Sequence, residues 1–283
     1  MMKNLIRSMA SLAVAGSMMV SGGLAQAEPT TISRASGVLT YAISKINSTG
    51  PAASVTWVNG SVPINTSQVP LPNLSVMAYA NDPVLGAGGS TTPTAATVGT
   101  SAVTLAEQGG HKLLQATSGA YALGTTSGTS GRLASLESMA TAAYGDSSAI
   151  KGARSAQSVD VYAKAFLLGQ NTRITFTFDA SGTSSFNDFH PGLNGMNQSW
   201  LGDNKSELYA GALGADGRYT ATSSDSLVNT DSRKTLLGGQ AGDGVKMASR
   251  KMAVTFDNAT TGSKGGAVWA KTDAFAFMEQ VSP

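Results

Sequence analysis

Between residues 173 and 179 the chain alternates without a break: Ile174, Phe176 and Phe178 are large and apolar, and Arg173, Thr175, Thr177 and Asp179 between them are polar. A two-residue period places successive side chains on opposite faces of an extended strand, whereas a helix would scatter these three apolar groups around its circumference. Burying them contributes about 1.5–3 kcal/mol each, and a slip of one residue would turn all three into water. The register of this strand is therefore strongly specified. Upstream, Val159, Val161, Ala163, Ala165 and Leu167 share a parity, and Gly169, Gln170, Asn171 and Thr172 separate the two runs. The expectation is a β-hairpin over 159–180 with one buried face.

Alternation recurs along most of the chain. Leu39, Tyr41 and Ile43 against Thr40, Ala42 and Ser44 predict a strand over 38–46, and Val55 with Trp57 predicts another over 54–58. Pro63, Pro70 and Pro72 mark 59–72 as a loop or edge segment, because proline cannot donate to a ladder. Short strands are expected over 74–79, 101–105, 112–123, 207–213 and 218–224, the last two around the turn at Ala215, Asp216 and Gly217. Residues 86–100 are almost wholly Gly, Ser, Thr, Ala and Pro and predict one long exposed loop. Over 132–144 a helical stripe through Leu133, Leu136, Met139, Ala140, Ala143 and Tyr144 competes with a strand; strand-like neighbours on both sides favour the strand.

Near the C-terminus, Met252, Val254 and Phe256 alternate within 246–257, a Gly-rich turn covers 258–266, and Trp269, Phe275 and Phe277 share a parity within 267–278. This reads as a second hairpin. Leu236, Leu237, Gly238, Gly239 and Gln240 echo the Leu167, Leu168, Gly169, Gln170 turn, but the Thr-Phe-Asp run after each turn comes at a different distance, so the echo is not a fixed repeat. These patterns together predict an all-β fold class: a single antiparallel β-sandwich or jelly roll over 28–283, its core lined by Ile174, Phe176, Phe178, Val254 and Phe256.

Residues 1–27 read as a signal peptide rather than as structure. Lys3 and Arg7 give a basic start, 9–20 a short apolar stretch, and Ala25, Gln26 and Ala27 a small-x-small cleavage pattern, so the expectation is a secreted chain cut after Ala27. Without Lys3 and Arg7 the 19 basic residues fall to 17, matching the 17 acidic ones. A neutral chain without charge runs argues against nucleic acid or an anionic membrane as the main partner. Cysteine is absent, which excludes disulfides, zinc-thiolate sites and cysteine nucleophiles.

Candidate site residues are few. His111 and His190 lie far apart in sequence and no Gly-x-Ser-x-Gly elbow accompanies them, so no hydrolase triad is indicated. Among the carboxylates nothing singles out a glycosidase pair from Glu107, Glu137, Glu207, Glu279 and the many aspartates. Residues 181–203 are rich in turn formers yet carry Phe186, Phe189, Leu193, Met196, Trp200 and Leu201. That segment is expected to be a loop, either plugging one end of the core or meeting a partner. Trp200 beside Asn197 and Gln198 is the best candidate for stacking on a sugar ring, Trp57 and Trp269 reading as core. Asp203, Asn204 and Glu207, with Ser206, offer oxygen ligands suited to calcium, as do Asp225, Asn229 and Asp231, although neither run has an EF-hand order and a solvated turn is the plainer reading.

A strand of alternating small residues, the Leu168-Gly169 turn, a Thr- and Phe-rich strand ending in Asp179-Ala180, and a final Gly-separated pair of strands ending in aromatics together resemble exported proteins of the PEP-CTERM class. The resemblance covers 157–182 and 250–283. It implies association with the extracellular matrix of exopolysaccharide-producing Gram-negative bacteria, and it carries no catalytic residue over. Members of that class continue into a Pro-Glu-Pro signal, an apolar helix and a basic end; here Ser282 and Pro283 come last, so the expectation is a released protein. The expected function is a non-catalytic structural or matrix protein of a biofilm or surface layer, acting by self-association or polysaccharide contact. A secreted carbohydrate-binding module or glycosidase is the rival. If the 181–203 segment is a contact surface, a charge at Phe189 or Trp200 weakens association without unfolding the domain; if it caps the core, the same change destabilises the monomer.

Overall fold

The computed structural model describes residues 30–65, 74–82, 87–90, 98–108, 111–122, 128–143, 152–187, 197–235 and 244–281. Two antiparallel sheets pack face to face in a β-sandwich, as the alternation requires. In chain order the strands are β1 (Thr30–Lys45), β2 (Val55–Val58), β3 (Leu74–Asp82), β4 (Ala87–Ser90), β5 (Val98–Gln108), β6 (His111–Ala122), β7 (Ser130–Ala143), β8 (Gly152–Leu168), β9 (Thr172–Asn187), β10 (Asn197–Leu213), β11 (Tyr219–Thr235), β12 (Gly244–Asn258) and β13 (Lys264–Val281). One sheet runs β12-β9-β1-β7-β6-β5 and the other β11-β10-β13-β8-β3-β4, with β2 also paired to β8.

The main core lies where the alternation is cleanest. Ile174, Phe176 and Phe178 on β9, Leu39 and Tyr41 on β1, and Met252, Val254 and Phe256 on β12 meet Tyr162, Phe166 and Leu168 on β8 and Val268 on β13 from the facing sheet. The Phe166 ring sits 5.5 Å from Phe176 and 5.4 Å from Phe256, so aromatic contacts bridge the two layers. Gly37 on β1 is left bare beneath Phe178: a Cβ there would lie 2.3 Å from the ring. Residues 132–144 are strand, not helix, through Ala143, and Leu136, Ala140 and Ala142 of β7 face inward.

Both expected hairpins are instead arches between sheets. β8 pairs with β13, β3 and β2, and β9 pairs with β1 and β12, so the turn at 169–171 carries the chain across the sandwich. The buried parity of β8 is consequently the opposite of the one expected. Ala156, Ser158, Asp160, Tyr162, Lys164, Phe166 and Leu168 point inward, Ala163 and Ala165 are covered from outside by Val62 and Ile64, and Leu167 is exposed. The connection from β12 to β13 is likewise an arch. Trp269, Phe275 and Phe277 do share a face, but it is the outer one, and Val268, Ala270, Ala274, Ala276 and Met278 fill the interior. A true hairpin joins β10 to β11 around Gly217, whose positive φ suits glycine.

Asparagines fix the arches. Asn171 adopts φ 55°, and its side chain imitates a strand partner: Oδ1 accepts the Asn47 N–H at 2.8 Å while Nδ2 donates to the carbonyls of Asn47 (2.9 Å) and Pro51 (3.2 Å). Asn258, fully buried, donates to the carbonyls of Leu168 (2.8 Å) and Gly262 (2.7 Å), tying the second arch to the first.

A polar belt separates the main core from a second cluster of Phe186, Trp200, Met278 and alanines. Ser138 Oγ donates to Asp160 Oδ2 at 3.0 Å and lies 2.9 Å from Thr272 Oγ1; Asn204 Nδ2 donates to Ser184 Oγ at 2.9 Å. The layers approach closely here, since a Cβ on Gly182 would fall 1.7 Å from Asn204 Oδ1. Two further expectations change. Residues 86–100 are not one loop, because Ala87–Ser90 pairs with β3 and β5 begins at Val98. The loop expected over 181–203 is in its described parts the ends of β9 and β10, with 188–196, including Phe189, His190, Leu193 and Met196, outside the described residues. The Leu236 to Gln240 echo also lies outside them.

One long side of the sandwich is laced shut by reciprocal bonds between β11 and β12. Asp225 accepts the Ala253 N–H and Asn229 Nδ2 donates to the Lys246 carbonyl; in return Lys246 Nζ donates to the Thr230 carbonyl and Arg250 to the Ser226 carbonyl. The two sheet edges on this side are covered by each other's side chains, which blunts them as templates for another chain.

Candidate functional site

β10 disperses the residues that sequence reasoning grouped. Trp200 is 2% exposed and packs with Phe186, Ala274 and Met278, so it closes the second core cluster and presents no face to a sugar. Asn197 and Gln198 open the strand in register with Val281 and Gln280, with only their backbone described. Asn204 points between the sheets, whereas Asp203 and Glu207 point outward, so the alternation of the strand forbids convergence of the three on one ion. Asp225 and Asn229 are spent on β12. Among the described residues no group of three or more His, Asp or Glu side chains gathers as a metal site. His111 begins β6, and His190 lies outside the described residues.

Glu207 belongs to a closed network on the outer face of the β10–β13 sheet. Its Oε1 accepts from Tyr209 Oη at 2.6 Å and from Lys205 Nζ at 2.7 Å, Lys271 bridges onward to Asp273 at 3.0 Å, and Gln157 donates to Asp273 at 2.8 Å. Tyr209 also stacks on Trp269, centroids 5.4 Å apart. Burial works to raise the Glu207 pKa, but hydrogen bonds from Lys205 and Tyr209 and the charges of Lys205 and Lys271 outweigh it and hold the carboxyl below its usual range. Tyr209 is pushed up to about 12, by burial first and then by Glu207. On the opposite sheet, the Arg173 hydrogen bond lowers Asp257 against a smaller opposing effect of burial, helped by the charges of Arg173 and Lys264.

These directions set a pH dependence. A carboxyl that titrates lower folded than unfolded adds stability that is whole above its unfolded pKa and is lost as pH falls through the folded value. Glu207 and Asp257 should therefore produce an acid-side fall in Tm beginning below ~pH 5. Tyr209, raised on folding, adds stability that is lost as pH rises above its ordinary value of 10.0 toward about 12. Thermal unfolding from acid to alkali checks both limbs: Glu207→Gln should remove part of the acid limb and leave the share of Asp257, and Tyr209→Phe should remove part of the alkaline limb and leave the shares of Tyr162 and Tyr219, both raised by burial; unchanged limbs would contradict the network.

An open polar surface lies on the outer face of β12, β9 and β1. Its signal was present in the sequence as the discarded half of the alternation, since Thr175, Thr177, Asp179, Ser181, Thr183 and Ser185 are the outward parity of β9. Across the strands Thr255 faces Thr175, Thr40 faces Thr177, and Ser249, Ser181 and Ser36 form a row. Thr40 and Thr177 hydroxyls meet at 2.6 Å and Ser36 and Ser181 hydroxyls at 2.9 Å. Lys251 and Asp179 stand 3.6 Å apart, both largely exposed, an ion pair of small net worth that yields readily to a competing polar group. With Ala180, Ser181, Ser249 and Arg250 they line a shallow depression of about 420 Å³. The inward residues of the same strands are buried in the main core, so the hydroxyls are held on a rigid base.

No family model, curated protein or solved structure compared with this chain matches it.

Proposed function

We propose that this chain is a non-catalytic exported protein of a biofilm or surface layer that works by contact with polysaccharide through the outer face of β12, β9 and β1. What supports the reading is that face: rows of paired Ser and Thr hydroxyls on a rigid strand surface, with the Lys251–Asp179 pair beside a shallow depression. Hydroxyls that both donate and accept suit the hydroxyls of an extended glycan, and a flat, shallow surface suits a polymer better than a small molecule enclosed in a pocket. The resemblance to PEP-CTERM-class exported proteins points the same way. A glycosidase needs two carboxyls across the scissile bond, and Asp179 is the sole carboxylate among the described residues lining the depression.

Sedimentation of the protein with insoluble polysaccharides, then binding assays against a panel of soluble ones, tests the reading. Ser181→Arg, an exposed outward position, should weaken binding about tenfold or more, equivalent to ~1.4 kcal/mol, while Tm stays within about 2 °C of wild type. Binding that survives the substitution would remove this face from consideration, and turnover of any polysaccharide would overturn the non-catalytic assignment. Light scattering at high concentration separates the other form of the hypothesis, association between copies, from glycan contact.

A further inference from the structure

Lys164 is the one basic residue among the described inward-facing positions of β8, and the register of the sheet explains what it meets. The β2–β8 ladder runs Val55 to Leu168, Trp57 to Phe166 and Val58 to Ala165. One step further the ladder would set Asn59 opposite Lys164, and there β2 ends; β3 takes up the same edge only from Tyr162 onward. Lys164 thus occupies a gap between two strands that pair along the same side of β8. It is 9% exposed, with Phe166 and Tyr162 as its neighbours on the inner face, and its Nζ lies 2.8 Å from Asn59 Oδ1. No carboxylate pairs with it among the described residues, and burial lowers its pKa. An ammonium held in this way by a carboxamide alone is costly, and the cost disappears if the nitrogen becomes a neutral amide. Gly60, with φ 114° and open space around it, lets the chain turn away and leaves the Asn59 side chain facing the lysine.

We propose that Lys164 and Asn59 condense into an intramolecular isopeptide cross-link between Lys164 Nζ and Asn59 Cγ. The lysine first gives a proton to solvent. The freed lone pair adds to Cγ as the carbonyl π pair moves onto Oδ1, the tetrahedral adduct passes a proton from Nζ to Nδ2, and the Cγ–Nδ2 bond breaks with release of ammonia. Nothing is oxidised or reduced and no co-reactant enters. The hydrogen bond already seen places the amine against the carbonyl, the arrangement that makes a bimolecular step unimolecular. The product joins positions 105 residues apart in sequence and fastens the four-residue strand β2 covalently to the middle of its sheet. In a chain without cysteine it takes the place of a disulfide.

The test is peptide mapping of the purified full chain by tandem mass spectrometry. The expected result is a branched peptide joining the segments around Asn59 and Lys164, lighter than its two parts by one ammonia, with trypsin failing to cleave after Lys164. Lys164→Met and Asn59→Ala should each restore the linear mass and lower the unfolding temperature. The proposal is overturned if wild type gives linear peptides cleaved after Lys164. It is equally overturned if the ammonia deficit resides in a cyclised Asn59-Gly60 unit, which mild base opens and which survives in Lys164→Met. The wild-type map decides the question even if neither variant folds.

Discussion

Phe176→Ala should destabilise the protein by about 3–5 kcal/mol, a large part of the ~5–15 kcal/mol that holds a domain folded. The side chain is fully buried in the main cluster, and its ring lies 5.5 Å from Phe166 and 6.4 Å from Trp57. Truncation removes transfer energy from one sheet and leaves a cavity against the other, because Phe166 and Trp57 are anchored on strands that cannot follow. Thr177→Ala, one residue away and outward, should cost less than ~1 kcal/mol. Denaturant unfolding of the two variants gives both numbers. Equal effects would mean that the face assignment of β9 is wrong.

Asn171→Ala should cost about 2.5–6.5 kcal/mol through an unrelated mechanism: three side-chain hydrogen bonds at ~0.5–1.5 kcal/mol each, plus ~1–2 kcal/mol for holding alanine at positive φ. Asn171→Gly separates the two contributions. Glycine accepts the backbone conformation, so the glycine variant should recover the strain and keep the hydrogen-bond loss. If alanine and glycine behave alike in chemical denaturation, the positive φ at Asn171 is not a source of strain. If both resemble wild type, the side chain does not fasten the 46–51 segment to the arch.

The all-β class and the members of the core were legible because β9 and β12 carry large apolar residues on one parity and short polar ones on the other. Connectivity was not. A hairpin and an arch have the same turn residues and the same alternation; they differ in which sheet receives the second strand, and that is settled by partners far away in the sequence. On β8 the inward parity also carries Asp160 and Lys164, which disguised the face that Tyr162, Phe166 and Leu168 fill. Trp200 misled for the converse reason. Its polar neighbours Asn197, Gln198, Asp203 and Asn204 suggested a loop, but a strand whose interior includes a belt of Ser, Thr and Asn has polar neighbours on both faces. The hydroxyl face was present in the sequence all along as every second residue of β9, and only the pairing with β1 and β12 turned that row into a surface.

The position of β1 governs the order of events in folding. This first strand among the described residues is an interior strand of its sheet, hydrogen-bonded on one side to β7 and on the other to β9, so that Thr40 waits for Arg132 and Thr177. A chain emerging from its N-terminus must carry β1 without its β9 partner until Thr177, 137 residues after Thr40, has been made, and the closure entropy of those pairings comes before their reward. Folding should be slow and late, and until then the Leu39 and Tyr41 side chains stand open to other chains. The vulnerable period of this protein is thus its synthesis rather than its mature life.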